Sequence, residues 1–130
     1  MKTGEGAVLD ASALLAVLLG EPGAGHVERY LPGAVMSAVN LSEVAGKLME
    51  KGAPQEAVQA AIASIGLVVI EFDEAQAMAA AALRPRTRSL GLSLGDRACL
   101  ALGETRGGKV VTCDTAWTAV ETSADIVQAR

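Results

Sequence analysis

The sequence predicts an α/β domain, a mostly parallel sheet of four to five strands with helices on both faces. Three observations carry that prediction. Short β-branched apolar runs alternate with longer Ala- and Leu-rich helical runs along the whole chain. The composition is 51% hydrophobic but only 2% aromatic, so small side chains must do the packing, which suits helices lying close on a flat sheet. A length of 130 residues is that of one compact domain with a real core, and residues 1–130 are expected to form a single unit.

Ala7 to Leu9, preceded by Gly4 and Gly6, reads as a buried strand ended by Asp10. Asp10 then caps a helix over Ala11 to Leu19, which stops at Gly20 and Pro22. A second helix covers Ala24 to Tyr30 and ends near Pro32, and Ala34 to Met36 is a second strand. Val39 to Lys51 is amphipathic, with Leu41, Val44, Ala45 and Leu48 on one stripe and Ser42, Glu43, Lys47 and Glu50 off it. Gly52 and Pro54 close that helix, Gln55 to Ser64 forms the next, and Leu67 to Ile70 is a third strand. Asp73 to Leu83 is again helical. Residues 84 to 92 read as a loop, broken at Pro85 and carrying Arg84, Arg86 and Arg88. Ser93 introduces a helix over Leu94 to Leu102, closed by Gly107 and Gly108. Val110 to Thr112 is a fourth strand running into Asp114, a short helical turn through Trp117 follows, and Asp125 to Gln128 is an edge strand.

Several classes of function are disfavoured. The net charge of −4 argues against a chain-wide basic surface for nucleic acid, although the arginines of LRPRTRSLG make a local one. No window approaches the roughly 18 apolar residues of a membrane span, and MKTGEGAVLDAS lacks the regions of a signal peptide, so a cytoplasmic chain without membrane contact is expected. Cys99 and Cys113 match no metal spacing and read as reduced core thiols. There is no GxxxxGK[ST] loop and no GxGxxG after a strand, and GEPGAG at 20–25 ends a helix rather than opening one. His26, the single histidine, has no ligand-type neighbour in sequence, which removes a histidine general base.

The acids hold the functional signal. Asp10 and Asp114 each follow a strand directly, and in open parallel sheets ligands bind at the carboxyl ends of strands near the point where strand order reverses. Asp96 sits in the first turn of the helix that Ser93 opens. Each has an ordinary structural role available: Asp10 and Asp114 as N-caps, Asp96 in a capping box with Ser93. Glu43, with Lys47 and Lys51 at i+4 and i+8, reads equally as part of an exposed ladder. Caps, however, give no reason for several acids to meet. Two carboxylates about 4 Å apart repel by roughly 4 kcal/mol at an effective dielectric of 20, so a cluster persists only with a cation or raised pKa values. A hard divalent ion such as Mg²⁺ or Mn²⁺, used to hold phosphates and orient a water, is the natural partner.

The stretches VLDASALLA (8–16), NLSEVAGKL (40–48), LSLGDRACLALG (92–103) and VVTCDTAW (110–117) together resemble the PIN-domain family, and most of all its VapC-type toxins. The resemblance runs nearly end to end with the motifs in order. It implies a three-layer α/β/α sandwich and a Mg²⁺- or Mn²⁺-dependent ribonuclease acting on RNA. It assigns catalysis to Asp10, Glu43, Asp96 and Asp114, with Asp10, Asp96 and Asp114 as the metal ligands. Ser12 and Thr112 match small hydroxyl positions that support the pocket. Arg84, Arg86 and Arg88 precede the Asp96 helix and are expected at the pocket rim, where arginine suits phosphate. Thr115 stands where similar toxins often have a basic residue, so no phosphate contact is expected there. The implied partners are a VapB-like antitoxin that blocks the pocket and a second copy in a homodimer, with DNA met only through the antitoxin. Two rival readings remain: a binding module that serves mainly in a DNA-binding antitoxin complex with little nuclease activity, and a receiver-like phosphoryl acceptor. The second is weakened because Lys109 precedes its strand and no acid pair follows the first one.

Overall fold

The structure, a computed structural model, describes residues 6–130; the first five residues of the expected single domain, Gly4 among them, lie outside the described residues. Five strands, β1 (Val8–Leu9), β2 (Val35–Ser37), β3 (Val68–Ile70), β4 (Lys109–Thr112) and β5 (Asp125–Gln128), form one sheet in the order β3-β2-β1-β4-β5. Every neighbouring pair is parallel. The chain therefore enters at the centre, builds outward to β3, and then crosses back to add β4 and β5 on the other side of β1. Strand order reverses between β1 and β4.

The strands alternate their side chains between two apolar layers, as the pleat requires. Leu9, Met36 and Val111 face α1 (Ala11–Leu19), α2 (Ala24–Glu28) and α3 (Ala38–Glu50), where they meet Ala13, Leu14, Val27 and Val44. Val8, Val35 and Val110 face the opposite way, onto Ala80 of α5 (Glu74–Ala82), Cys99 to Leu102 of α7 (Leu94–Arg106) and Trp117. The result is the expected three-layer sandwich, with α4 (Gln55–Ile65) beside α3. Among the described residues no helix is long and apolar enough to cross a membrane.

Most element ends fall within a residue or two of expectation, because they are set by local chemistry. Asp10, Ser37, Asp73, Ser93 and Asp114 each accept a backbone N–H at a helical start, and Gly20, Gly66 and Gly107 end helices at positive φ. The clear correction lies at residues 84–92. The expected loop is instead a four-residue helix, α6 (Arg84–Thr87), followed by a 3₁₀ turn over Arg88–Leu90 that ends at Gly91. Pro85 does not break it because a proline in the first turn has no N–H to lose there. Thr87 then turns inward, donating its hydroxyl to the Leu83 carbonyl 2.9 Å away. The α7 helix also runs on past Leu102 to Arg106, since nothing before Gly107 stops it.

Small residues let the layers close. A methyl group on Gly103 of α7 would collide with the Val110 side chain of β4. Gly103→Ala is expected to cost about 1–3 kcal/mol, as overpacking of a close-packed core does. Urea unfolding checks this, and a stability unchanged from wild type would show that β4 and α7 can part freely.

Candidate active site

Asp10 and Asp114 emerge from β1 and β4, the two neighbours across the reversal in strand order, and that topology alone sets them side by side. Asp10 is 3% exposed and held at three points. Its Oδ1 accepts from the Ala13 backbone N–H and the Ser12 hydroxyl, both at 2.8 Å, and its Oδ2 accepts from the Thr112 hydroxyl at 2.6 Å. The two hydroxyls, 3.3 Å apart, each give their one proton to Asp10 and accept in turn from the backbone N–H groups of Cys113 and Asp114, both at 2.9 Å. Burial nonetheless dominates: desolvation pushes the Asp10 carboxyl up to about 6, against the pull of the Thr112, Ala13 and Ser12 hydrogen bonds and helped by the charge of Asp96.

Glu43 and Asp96 reach the same place from α3 and α7. Asp96 forms its capping box, accepting from the Ser93 N–H at 2.9 Å, and Asp114 accepts from the Ala116 N–H at 2.9 Å. Asp10, Glu43, Asp96 and Asp114 all line one open cavity of about 420 Å³. Capping and pocket membership therefore coexist in the same side chains. Beneath them the fully buried Cys99 thiol is pushed well up, first by burial and then by the charges of Asp10, Asp96 and Glu43. Both cysteines are free and buried.

The cavity walls carry five carboxylates, Glu21 included, against three cations, Lys47, Lys51 and Arg130, and Arg130 lies 3.6 Å from Glu21. An excess of about two negative charges on hard oxygen donors suits one divalent cation. Among the described residues no group of three or more His, Cys, Asp or Glu is drawn together closely enough to hold a metal. The ligand set expected of Asp10, Asp96 and Asp114 is thus gathered round one cavity without closing into a dry cage. The donors gathered there are carboxylate oxygens alone, the donor type that hard divalent ions take.

Sequence reasoning missed four participants. Asn40, 1% exposed and one helical turn before Glu43, donates from Nδ2 both to Glu43 Oε1 at 3.1 Å and to the Gly95 carbonyl at 3.0 Å. It ties α3 to the start of α7; the i−3 spacing from Glu43 was the available signal. Gly95 is the second, because any side chain there would occupy the space of the Glu43 carboxylate. Lys47 and Lys51 are the others: the Glu43 ladder and the pocket wall are the same surface. The arginines separate from the acids. None of Arg84, Arg86 and Arg88 lines the acid cavity; Arg86 lies on Glu104 at 3.3 Å and the Glu121 carbonyl at 2.9 Å. His26 is exposed beside Tyr30, with ring centroids 6.0 Å apart.

Residues 7–122 match the family model of the PIN domain. No curated protein matches the chain. Among solved structures, the chain is similar to a toxin–antitoxin complex from Klebsiella pneumoniae, at 20% identity and TM-score 0.74, over 95% of this chain and 98% of that one. It is similar to VapBC2 from Rickettsia felis bound to a DNA fragment from their promoter, at 14% identity and TM-score 0.74 over the same shares. A DNA-bound VapBC from Salmonella typhimurium matches at 17% identity and TM-score 0.73, over 97% of this chain and 99% of that one.

Two outcomes are expected from this geometry. Asp10 has a folded value above its unfolded one near 3.8, so its contribution to stability is fullest below about pH 4 and is lost as pH rises through about 6. About two units correspond to roughly 3 kcal/mol. In EDTA, Asp10→Asn should match wild type near pH 4 and exceed it by an amount of that order at pH 7.5, read by urea unfolding; a variant no more stable at pH 7.5 would count against a desolvated charge. Gly95→Ala, which would overlap the Glu43 carboxylate, should cost about 1–3 kcal/mol as overpacking does, read by urea unfolding, and an unchanged stability would show that the Glu43 side chain moves aside freely.

Proposed function

Because the chain belongs to the PIN-domain family, we propose that it is a metal-dependent endoribonuclease, the VapC-type toxin of a toxin–antitoxin pair. The observation that most supports this is the meeting of four carboxylates from four separate segments in one cavity, with an excess charge that suits a divalent ion. In this reading Asp10, Asp96 and Asp114 hold Mg²⁺ or Mn²⁺. When bound, the ion lowers the pKa of a water and neutralises charge on the phosphate oxygens.

The chain's own groups do the rest. Ser12, Thr112 and the Ala13 N–H fix the Asp10 carboxylate, so its oxygens do not turn when charge arrives. Glu43 is held at Oε1 by Asn40, and at Oε2 it accepts a hydrogen bond from the attacking water and takes its proton. The water oxygen bonds to phosphorus as the bond to the leaving oxygen breaks, and the proton ends on that leaving oxygen. Lys47 and Lys51 offset the charge of the phosphates on the α3 wall.

The partners belong to the same proposal. The similar solved structures are toxin–antitoxin complexes, two of them DNA-bound, which supports a VapB-like antitoxin that covers the cavity and brings the only DNA contact. A homodimer and a cytoplasmic location complete the reading. The same DNA-bound relatives support the antitoxin-containing DNA complex on which the rival reading, a binding module with little hydrolysis, rests.

Incubation of the purified chain with structured RNA separates the two. Cleavage is expected with Mg²⁺ or Mn²⁺ and not in EDTA. Glu43→Gln should lower turnover by about 10²- to 10⁴-fold while keeping the Mn²⁺-induced rise in Tm, and Asp10→Asn should lose both. Absence of metal-dependent cleavage in antitoxin-free protein would sink the nuclease reading and leave the binding module.

A further inference from the structure

The three arginines of residues 84–92 do not act as one group. Arg86 is taken by Glu104 and the Glu121 carbonyl. Arg84 and Arg88 instead line a second cavity of about 260 Å³, completed by Thr87, Gly91, Leu92 and, from the first turn of α7, Arg97. No carboxylate lines this cleft. Among the described residues, none of Arg84, Arg88 and Arg97 has an acidic partner. Three guanidinium groups round one small concavity repel one another, and in a chain of net charge −4 acids to pair them are not scarce. An arrangement of this kind is relieved by an anion, and the planar fork of arginine fits the oxygens of a phosphate.

We propose that the cleft of Arg84, Arg88 and Arg97 binds the phosphodiester backbone of single-stranded RNA beside the bond to be cut; this rests on the nuclease reading above. Its position decides for a polynucleotide. Arg97 follows Asp96 directly, with Cα atoms about 3.8 Å apart, and Asp96 lines the acid cavity while Arg97 lines the cleft. The two cavities share the first turn of α7 as a wall. A strand with a phosphate over the acids passes its neighbouring phosphates to the arginines. This solves an electrostatic problem, because an acid-lined cavity repels the backbone it must receive, and fixed cations at its edge hold the strand in place. An acidic peptide would satisfy the arginines equally, but it carries nothing the adjoining acids would hold.

Fluorescence anisotropy of the full chain with a short labelled single-stranded RNA, in EDTA so that nothing is cleaved, tests this. Arg84→Ala/Arg88→Ala should bind at least about tenfold more weakly, with the slope of log K against log salt reduced by about 1.4 for two lost phosphate contacts. Arg97→Lys should keep the slope and still weaken binding, since the charge stays and the fork goes. Arg86→Ala, outside the cleft, should change neither. Unchanged affinity and slope in the double variant overturn the proposal, as does an equal loss in Arg86→Ala, or wild-type chain that does not bind RNA. A double variant that binds RNA normally but no longer retains a co-expressed antitoxin overturns it too, by reassigning the cleft to a protein. RNA held through the cleft without any metal-dependent cleavage would reject the nuclease reading alone, and cleavage with undiminished RNA affinity in the double variant would reject the cleft alone.

Discussion

The buried carboxylate of Asp10 is the constraint on which the rest of the site depends. A charge that is 3% exposed is tolerated only with partners, and this one has three, drawn from its own helix and from β4. Each partner is in turn fixed: the Ser12 and Thr112 hydroxyls accept from the Cys113 and Asp114 N–H groups. The hydrogen bonds thus stitch the end of β1 to the end of β4 at the one point where strand order reverses, and the same stitch delivers Asp114 to the cavity. Even so, the hydrogen bonds do not win against desolvation. The Asp10 carboxyl stays raised, and the site retains a demand for positive charge that the protein itself leaves unmet.

That demand is met unevenly by design of the surroundings. Lys47, Lys51 and Arg130 reach the cavity, but two are flexible ammonium groups and the third is drawn towards Glu21 and the Pro22 carbonyl. A compact divalent ion is the better neutraliser, since it brings both charges to one point and needs few protein ligands. In the proposed nuclease, Lys47 and Lys51 then have a different object, the phosphates of the RNA.

Local chemistry made much of this legible in the sequence. Strand-end acids, cap residues and helix-ending glycines are short-range signals, and Asp10, Ser93, Asp96, Asp114, Gly20 and Gly107 each do what their neighbours in sequence require. The four acids could be named because each lies in a recognisable stretch. What was not legible depends on tertiary distance. Asn40 looks like one more polar residue in an amphipathic helix until Gly95, 55 positions later, is found against it. The arginines of residues 84–92 look like one basic loop until a four-residue helix sends Arg86 one way and Arg84 and Arg88 another. A proline in the first turn and one in a loop leave the same letter in the sequence, and only packing tells them apart.

The low aromatic content then acquires a functional reason. Glu43 and Asp96 sit on different helices, and they share a cavity only if α3 and the start of α7 approach closely. Gly95 permits that approach, for its missing side chain is the space in which the Glu43 carboxylate lies. Asn40 secures it with one hydrogen bond across the gap to the Gly95 carbonyl and a second, within α3, that holds Glu43 in place, and Gly103 repeats the device where α7 meets Val110. Larger residues at these points would stabilise a thicker sandwich and part the acids. The composition that first suggested small helices on a flat sheet is therefore also what lets separate segments of chain bring their charges to one point, which is the physical requirement of any site built from carboxylates that no single helix could supply.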